Sequence, residues 1–246
     1  MSEIIYGRNP VIEAIRAGKP VEKILIAATI KGQIITEITA LARKNNVSVE
    51  RISKQKLGEH AKNFNTQGVI AFIKSQSYAS IEDILSKSKE LNEPPLLAIL
   101  DGIEDPHNLG AIIRSAEGAG LHGIILPKRR SAGLTSIVTK TSAGASNYVL
   151  TAQVSNLNYT IDNLKKNNVW IAGTDQNAGQ HFTEVDLSGP LAIVIGAEGS
   201  GIHRLVKEKC DFLVSIPMFG KMNSLNASVA AALLFFEARR QRQLKT

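Results

Sequence analysis

Short apolar runs recur through the second half of this chain, at residues 96–100 (LLAIL), 123–126 (GIIL), 169–172 (VWIA), 191–195 (LAIVI) and 213–216 (LVSI). A strand with one wet face alternates apolar and polar side chains, whereas a strand covered on both faces need not. Continuous runs of this length are therefore those of a parallel sheet held between helices. A helix starting near Leu109 fits between the first two runs, because Leu109, Ile112, Ile113, Ala116 and Ala119 fall on one stripe at helical spacing. The expected fold class is α/β with a doubly wound sheet. In such sheets ligands bind outside the carboxyl ends of the strands, so the loops that follow the runs are where chemistry is to be sought.

The first 75 residues read as a second, smaller α/β unit. Asn9-Pro10 supplies a cap and first-turn pair for a helix over 11–17, closed by Gly18. A strand over 21–27 follows, then a helix carrying Ile34, Ile35, Ile38, Leu41 and Ala42, an exposed strand over 47–52, a helix from the cap Ser53 to Ala61, and a strand over 68–73. Residues 76–94 are polar and end in Pro94-Pro95, which reads as a linker with a helical piece around 81–91. The expected division is thus 1–75, a linker over 76–94, and 95–246.

Charge separates the two parts. The chain carries a formal +7, with 12 Lys+Arg against 6 Asp+Glu in residues 1–75 and 17 against 16 in residues 76–246. A basic module (Arg8, Lys19, Lys23, Lys31, Arg43, Lys44, Arg51, Lys54, Lys56 and Lys62) joined to a near-neutral one suits a protein whose first part grips a polyanion while the second acts more selectively. No apolar run approaches the roughly 20 residues needed to span a bilayer, and residues 1–10 lack the basic-then-apolar pattern of a signal peptide. A cytoplasmic protein without a membrane partner is expected. Cys210 is the only cysteine, which excludes an internal disulfide, and no Cys cluster or close His pair points to a metal.

Three loops at strand ends carry unusual residues. In the first, Asp101 to Arg114, Asn108 can cap the following helix, and Gly110, Arg114 and Glu117 face away from its apolar stripe, open to close approach. The second, Gly196-Ala197-Glu198-Gly199-Ser200-Gly201, lacks the Walker ending and the dinucleotide spacing, and Glu198 would oppose a pyrophosphate; a neutral or cationic ligand fits better. The third runs from Ile216 to Val229. Asn223, Ser224, Asn226 and Ser228 crowd the start of a helix that needs only one of them as its cap, leaving hydroxyl and amide groups free for a ligand. Gly173-Thr174-Asp175 ends another strand and is expected to line the same cleft.

Taken in order, "DPHNLGAIIRSAEGAG" (105–120), "IVIGAEGSGI" (193–202) and "IPMFGKMNSLNASVAAAL" (216–233) resemble the three motifs of the SpoU (TrmH-like) branch of the SPOUT RNA methyltransferases. The first 75 residues, with "YGRNPVIEAI" and "TQGVIAFI", resemble that branch's substrate-binding domain of ribosomal-protein L30e type, although Thr66 stands where relatives often carry His. The resemblance implies a C-terminal SPOUT domain with a deep trefoil knot, which the general rule against threaded chains would not have suggested. It also implies S-adenosyl-L-methionine as cofactor and a homodimer with composite sites. The implied activity is 2′-O-methylation of a guanosine in 23S large-subunit rRNA or its precursor. By the same resemblance the catalytic residues would be Asn108, Arg114, Glu198, Ser224 and Asn226. Gly196, Ile216 and Leu225 would hold the cofactor through their backbones, with help from Thr174. Arg114 is expected to anchor a phosphate, since a guanidinium is too weak an acid to serve as a base, and the proton of the 2′-hydroxyl would pass to water or Glu198. A tRNA 2′-O-methyltransferase of the same branch, or a non-catalytic RNA-binding protein on the same scaffold, would share much of this pattern.

Overall fold

The structure is a computed structural model that describes residues 3–16, 18–61, 64–73 and 78–245, apart from the side chains of Glu3 and Ser136. The expected helix end at Ala17, the basic Lys62 and the first two residues of the expected linker lie outside the described residues. The chain divides into two compact units, Met1–Ser77 and Tyr78–Thr246.

The first unit runs β1 (Glu3–Tyr6), α1 (Arg8–Arg16), β2 (Val21–Ala27), α2 (Gln33–Lys44), β3 (Ser48–Ile52), α3 (Lys54–Ala61) and β4 (Val69–Ile73). Its four-stranded sheet has the order β1-β4-β2-β3, and only the β2–β3 pair is parallel. Alternation along β2 sorts the core: Ile24 and Ile26 pack with α1 and α2 on one face, Leu25 and Ala27 with Leu57 of α3 on the other. Helix α1 begins at Arg8, so Asn9-Pro10 lies inside its first turn rather than before it. The two segments singled out in this unit meet: Arg8 Nε donates to Gln67 O at 3.0 Å. Gly68 adopts φ +78° there, and a β-carbon on it would stand 1.7 Å from Ile30 Cδ1.

The second unit opens with α4 (Ile81–Glu90), inside the stretch expected to be a linker. A reciprocal capping box starts it, Ser80 Oγ accepting from Asp83 N at 3.0 Å and Ser80 N donating to Asp83 Oδ2 at 2.8 Å. Ile81 and Ile84 are buried in the second unit's core, and Gly123 is a glycine because Ile84 lies 2.6 Å from where its β-carbon would be. Within 76–94, residues 81–90 form the helix expected around 81–91, with its charged residues on the outer face.

The strands β5 (Leu96–Asp101), β6 (Gly123–Pro127), β7 (Leu150–Val154), β8 (Trp170–Thr174), β9 (Leu191–Gly196) and β10 (Phe212–Val214) form a six-stranded sheet in the order β10-β8-β9-β5-β6-β7. Every pair is parallel. Leu96, Ala98 and Leu100 of β5 face α5 (Pro106–Gly118), α6 (Ser136–Thr141) and α9 (Ala227–Leu244); Leu97 and Ile99 face α4, α7 (Leu157–Lys166) and α8 (Arg204–Lys207). Each fully buried Leu or Ile of these strands contributes about 1.5–3 kcal/mol. β10 is a half-buried edge strand that ends at Val214, two residues short of the run read from sequence. Arg242 on α9 donates to Pro94 O, Pro95 O and Gly189 O at 2.5, 2.8 and 2.6 Å, tying that helix to the start of β5.

Candidate active site

Register brings the carboxyl ends of the central strands level. Asp101 on β5 lies opposite Gly196 on β9, Gly173 on β8 opposite Val194, and Thr174 opposite Val214 on β10. The loops that follow therefore converge at one edge of the sheet.

Helix α5 starts three residues earlier than the sequence suggested. Asp105 is its cap, accepting from His107 N at 2.9 Å, with Pro106 in the first turn. Asn108 is thereby released from capping and its side chain points elsewhere: Asn108 Nδ2 donates to Glu198 Oε1 at 2.9 Å. Asn226, the cap of α9, donates from Nδ2 to Asn108 Oδ1 at 2.9 Å and in a shorter contact to the same Glu198 Oε1. The backbone N of Ala227 adds a contact to that oxygen at 3.4 Å. Residues 90 and 118 positions apart in sequence thus form one network. The carboxylate sits at the N-terminus of α9, where a negative charge is favoured.

The loop carrying Glu198 is tightly closed. Ala197 N donates to Gly201 O at 3.1 Å and Gly201 N to Ala197 O at 2.9 Å. A β-carbon at Gly196 would lie 2.2 Å from the carbonyl carbon of Gly201, so only glycine permits the turn.

Two cavities share Glu198. One, of about 460 Å³, is lined by Thr174, Gly196, Ile216, Ser224 and Leu225 among others, the four expected cofactor-binding residues included. Thr174 Oγ1 donates to Val194 O at 3.1 Å, which fixes its rotamer. Lys207 also lines this cavity but is ion-paired to Asp175, whose carboxyl it holds below the usual carboxylate range. With that pair neutral, Glu198 leaves the cavity with one net negative charge. A sulfonium donor fits such a lining, and a pyrophosphate does not. The other cavity, of about 430 Å³, is lined by Gly102, Glu104, Asp105, Asn108, Arg130 and His203, with Ala197, Glu198 and Ser200 as the shared wall.

Arg114 is the expected site residue that the fold does not bring in. It is exposed on α5, lines neither cavity and makes no hydrogen bond or ion pair among the described residues. The face around it is partly covered, because α6 packs on Gly110, where a β-carbon would stand 2.6 Å from Thr141 Cβ. Ser224 is exposed and lines the first cavity. Sequence reasoning passed over Arg130 and His203, which line the second cavity. Cys210 is a packing residue, with burial pushing its thiol up to about 12. Among the described residues no group of three or more His, Cys, Asp or Glu could hold a metal ion, and no helix is long and apolar enough to cross a membrane.

With this geometry in place, the profile of the SpoU rRNA methylase family matches residues 95–236, more than half the chain. The chain belongs to that family. A second profile, for RNA 2′-O ribose methyltransferase substrate binding, matches residues 4–79. The protein is accordingly an S-adenosylmethionine-dependent RNA 2′-O-methyltransferase of the SpoU family with an N-terminal substrate-binding domain. It is 44% identical over 246 residues to a Bacillus subtilis (strain 168) protein named as a TrmH family tRNA/rRNA methyltransferase, covering 98% of this chain and 96% of that one. A Staphylococcus aureus (strain MSSA476) protein of the same name is 47% identical over 239 residues, with 97% and 96% covered. Among solved structures, the SpoU methyltransferase AviRb from Streptomyces viridochromogenes, determined with AdoMet, is similar with a TM-score of 0.67 and 25% identity, covering 98% of this chain and 91% of that one.

Proposed function

We propose that this SpoU-family enzyme methylates the 2′-hydroxyl of a guanosine in 23S large-subunit rRNA, free or within an assembly precursor, and does so in the cytoplasm as a homodimer. The observation that carries the reading is the Asn108–Glu198–Asn226 network at the wall between two cavities. One cavity suits the methyl donor and the other the acceptor nucleotide. The donor supplies a methyl group already activated on a sulfonium sulfur, so the protein's work is alignment and removal of a proton.

In this reading the backbones at Gly196, Ile216 and Leu225, with Thr174, hold the adenosyl part, while Asn108, Glu198, Ser224 and Asn226 order the acceptor ribose. Arg114 anchors an RNA phosphate at the site of the partner protomer. An exposed apolar stripe on α9, Val229, Leu233 and Phe236, supports dimerisation there. Phe236 Cζ lies 3.4 Å from a β-carbon built on Gly118, one helical turn beyond Arg114 on α5, so a partner seated on the stripe would find Arg114 beside it. A deep trefoil knot in the last third belongs to the same proposal; the insertion of β9 between β8 and β5 favours it, and an experimental map traced through 174–227 tests it.

The substrate-binding domain supplies RNA affinity through backbone charge. A trough on its surface of about 630 Å³ is lined by Arg43, Lys44 and Arg51 beside Thr36 and Thr39, suited to phosphates. The 2′-hydroxyl chemistry itself selects RNA over DNA. A tRNA substrate is the second reading, favoured by the double naming of the Bacillus relative. Mapping 2′-O-methyl groups in RNA from cells with and without the protein separates the two: a lost guanosine mark in large-subunit rRNA is expected, and loss confined to tRNA would replace the rRNA assignment.

A further inference from the structure

The sheet of the substrate-binding unit is covered unevenly. On the face that carries Leu25, Ala27 and Ile70, α3 is eight residues long and buries Leu57 and Ala61. Toward the edge strand β1 the same face holds Ile4, Tyr6 and Phe72, which pack on that cluster but stay partly exposed. Ile4 lies opposite Phe72 and Tyr6 opposite Ile70, so the four side chains share one face. Two rings complete the patch from outside the strands. Phe64 lies nearly parallel to Tyr6, with ring centroids 4.6 Å apart and 14° between the planes, and His60 meets Phe72 edge to face at 5.6 Å. Phe64 is nonetheless 60% exposed. Tyr6 takes one face of its ring and leaves the other open to solvent. A ring already held in place loses less freedom when a ligand stacks on it.

The loop that follows sets polar groups at the rim. Asn65 Oδ1 accepts from Gln67 N at 3.2 Å and Gln67 Oε1 from Arg8 N at 3.4 Å, which leaves both side-chain NH₂ groups uncommitted among the described residues. Gln67 sits at φ +46°, a left-handed conformation uncommon for a residue with a side chain. Arg8 Nε donates to Gln67 O, and among the described residues its guanidinium has no carboxylate partner.

We propose that the open face of Phe64, backed by Tyr6, is a stacking platform for an unpaired base of the RNA substrate, with Arg8 beside it for the adjoining phosphate. The proposal rests on the substrate-binding reading of this unit and names a contact through which the binding is made. An aromatic ring stacks on any base, and single-stranded RNA presents base faces that a duplex buries. The trough lined by Arg43, Lys44 and Arg51 attracts phosphates of paired and unpaired RNA alike, so the discrimination falls to Phe64. Charge favours RNA over a protein segment as the occupant, since residues 1–75 carry 12 Lys+Arg against 6 Asp+Glu.

The test uses the full-length protein and two RNA probes of equal length, a hairpin with an unpaired loop of mixed sequence and a blunt duplex. Phe64→Ala should weaken hairpin binding by roughly 5- to 150-fold, the span of one base–aromatic stack. Duplex affinity and calorimetric S-adenosylmethionine affinity should stay unchanged. Phe64→Leu keeps apolar bulk without a ring and should behave like the alanine variant, while Phe64→Trp should bind the hairpin at least as tightly as the wild type. With 5-iodouridine at each loop position in turn, ultraviolet irradiation of the wild-type complex should join a loop base to Phe64 or Tyr6. Hairpin binding unmoved by Phe64→Ala, equal losses on hairpin and duplex, a leucine variant that binds like the wild type, or crosslinks made only elsewhere would each overturn the proposal. A wild type that binds neither RNA would instead count against the substrate-binding reading of the unit. The crosslink decides the matter even if a substituted chain fails to fold.

Discussion

The side-chain amide of Asn226 donates to Asn108 and Glu198, while its oxygen accepts from Ser228 N at 2.9 Å and Ser228 Oγ at 2.5 Å. Asn226→Asp keeps the shape and the cap but turns the donor into a second carboxylate facing Glu198. Hydrogen bonds to charged groups are worth about 1.5–3 kcal/mol, so kcat/KM should fall by roughly ten- to a hundredfold with the melting temperature little changed. Steady-state methylation beside a thermal melt checks both. Asn108, Glu198 and Asn226 were legible in the sequence through the resemblance of their motifs to the SpoU branch, since an Asn at a helix start reads equally well as a cap. That Asp105 and not Asn108 caps α5 was not legible, since both are good caps and only the bonded structure chooses. The pairing of Asp101 with His203 spans 102 positions, and no local pattern announces it.

At the scale of elements, two glycines make a contrast. Gly110 on α5 faces Thr141 Cβ at 2.6 Å and Ser142 N at 3.1 Å from its built β-carbon, whereas Gly58 within α3 has nothing within 4 Å. Gly110→Ala should destabilise the protein by about 1–3 kcal/mol through overpacking. Gly58→Ala should stabilise it by about 0.5–1 kcal/mol, since alanine loses less backbone freedom in a helix interior. Urea unfolding of both variants checks the pair of signs. The central strands β5, β6, β8 and β9 were readable because burial on both faces writes an unbroken apolar run. β7, at the sheet edge, was missed: Thr151 and Gln153 interrupt it, and half-buried edges place weaker demands on sequence. α4 at Ile81–Glu90 was readable as the helical piece around 81–91, but that its apolar stripe docks it into the second unit's core was not.

For the molecule as a whole, the +7 charge lies almost entirely in the substrate-binding unit, so RNA affinity and methyl transfer are drawn from different parts of the chain. If Arg114 serves the partner's cavity, Arg114→Ala and Asn226→Ala are lesions in opposite halves of a composite site. Each variant alone should be inactive. Mixed and allowed to exchange subunits, they should regain methylation, because a heterodimer contains one undamaged site; no recovery, with heterodimers shown by mass spectrometry, would place Arg114 at its own protomer's site. The two-unit division and the charge asymmetry were visible from composition. The role of Arg114 was not, because its spacing to Glu117 equally describes a solvated surface, and the two are not among the ion pairs of the described residues.

The place of β9, between β8 and β5 at the middle of the sheet, also governs how the protein must be made. β5 ends at Asp101, yet the neighbour that covers its far side begins at Leu191. With synthesis at about 5–20 residues per second, that apolar edge stays bare on the nascent chain for roughly 5–20 s. An uncovered strand edge invites pairing with other chains. The finished sheet gives β5 a neighbour on each side, so the hazard of aggregation belongs to the ribosome-bound interval and disappears once β9 has been inserted.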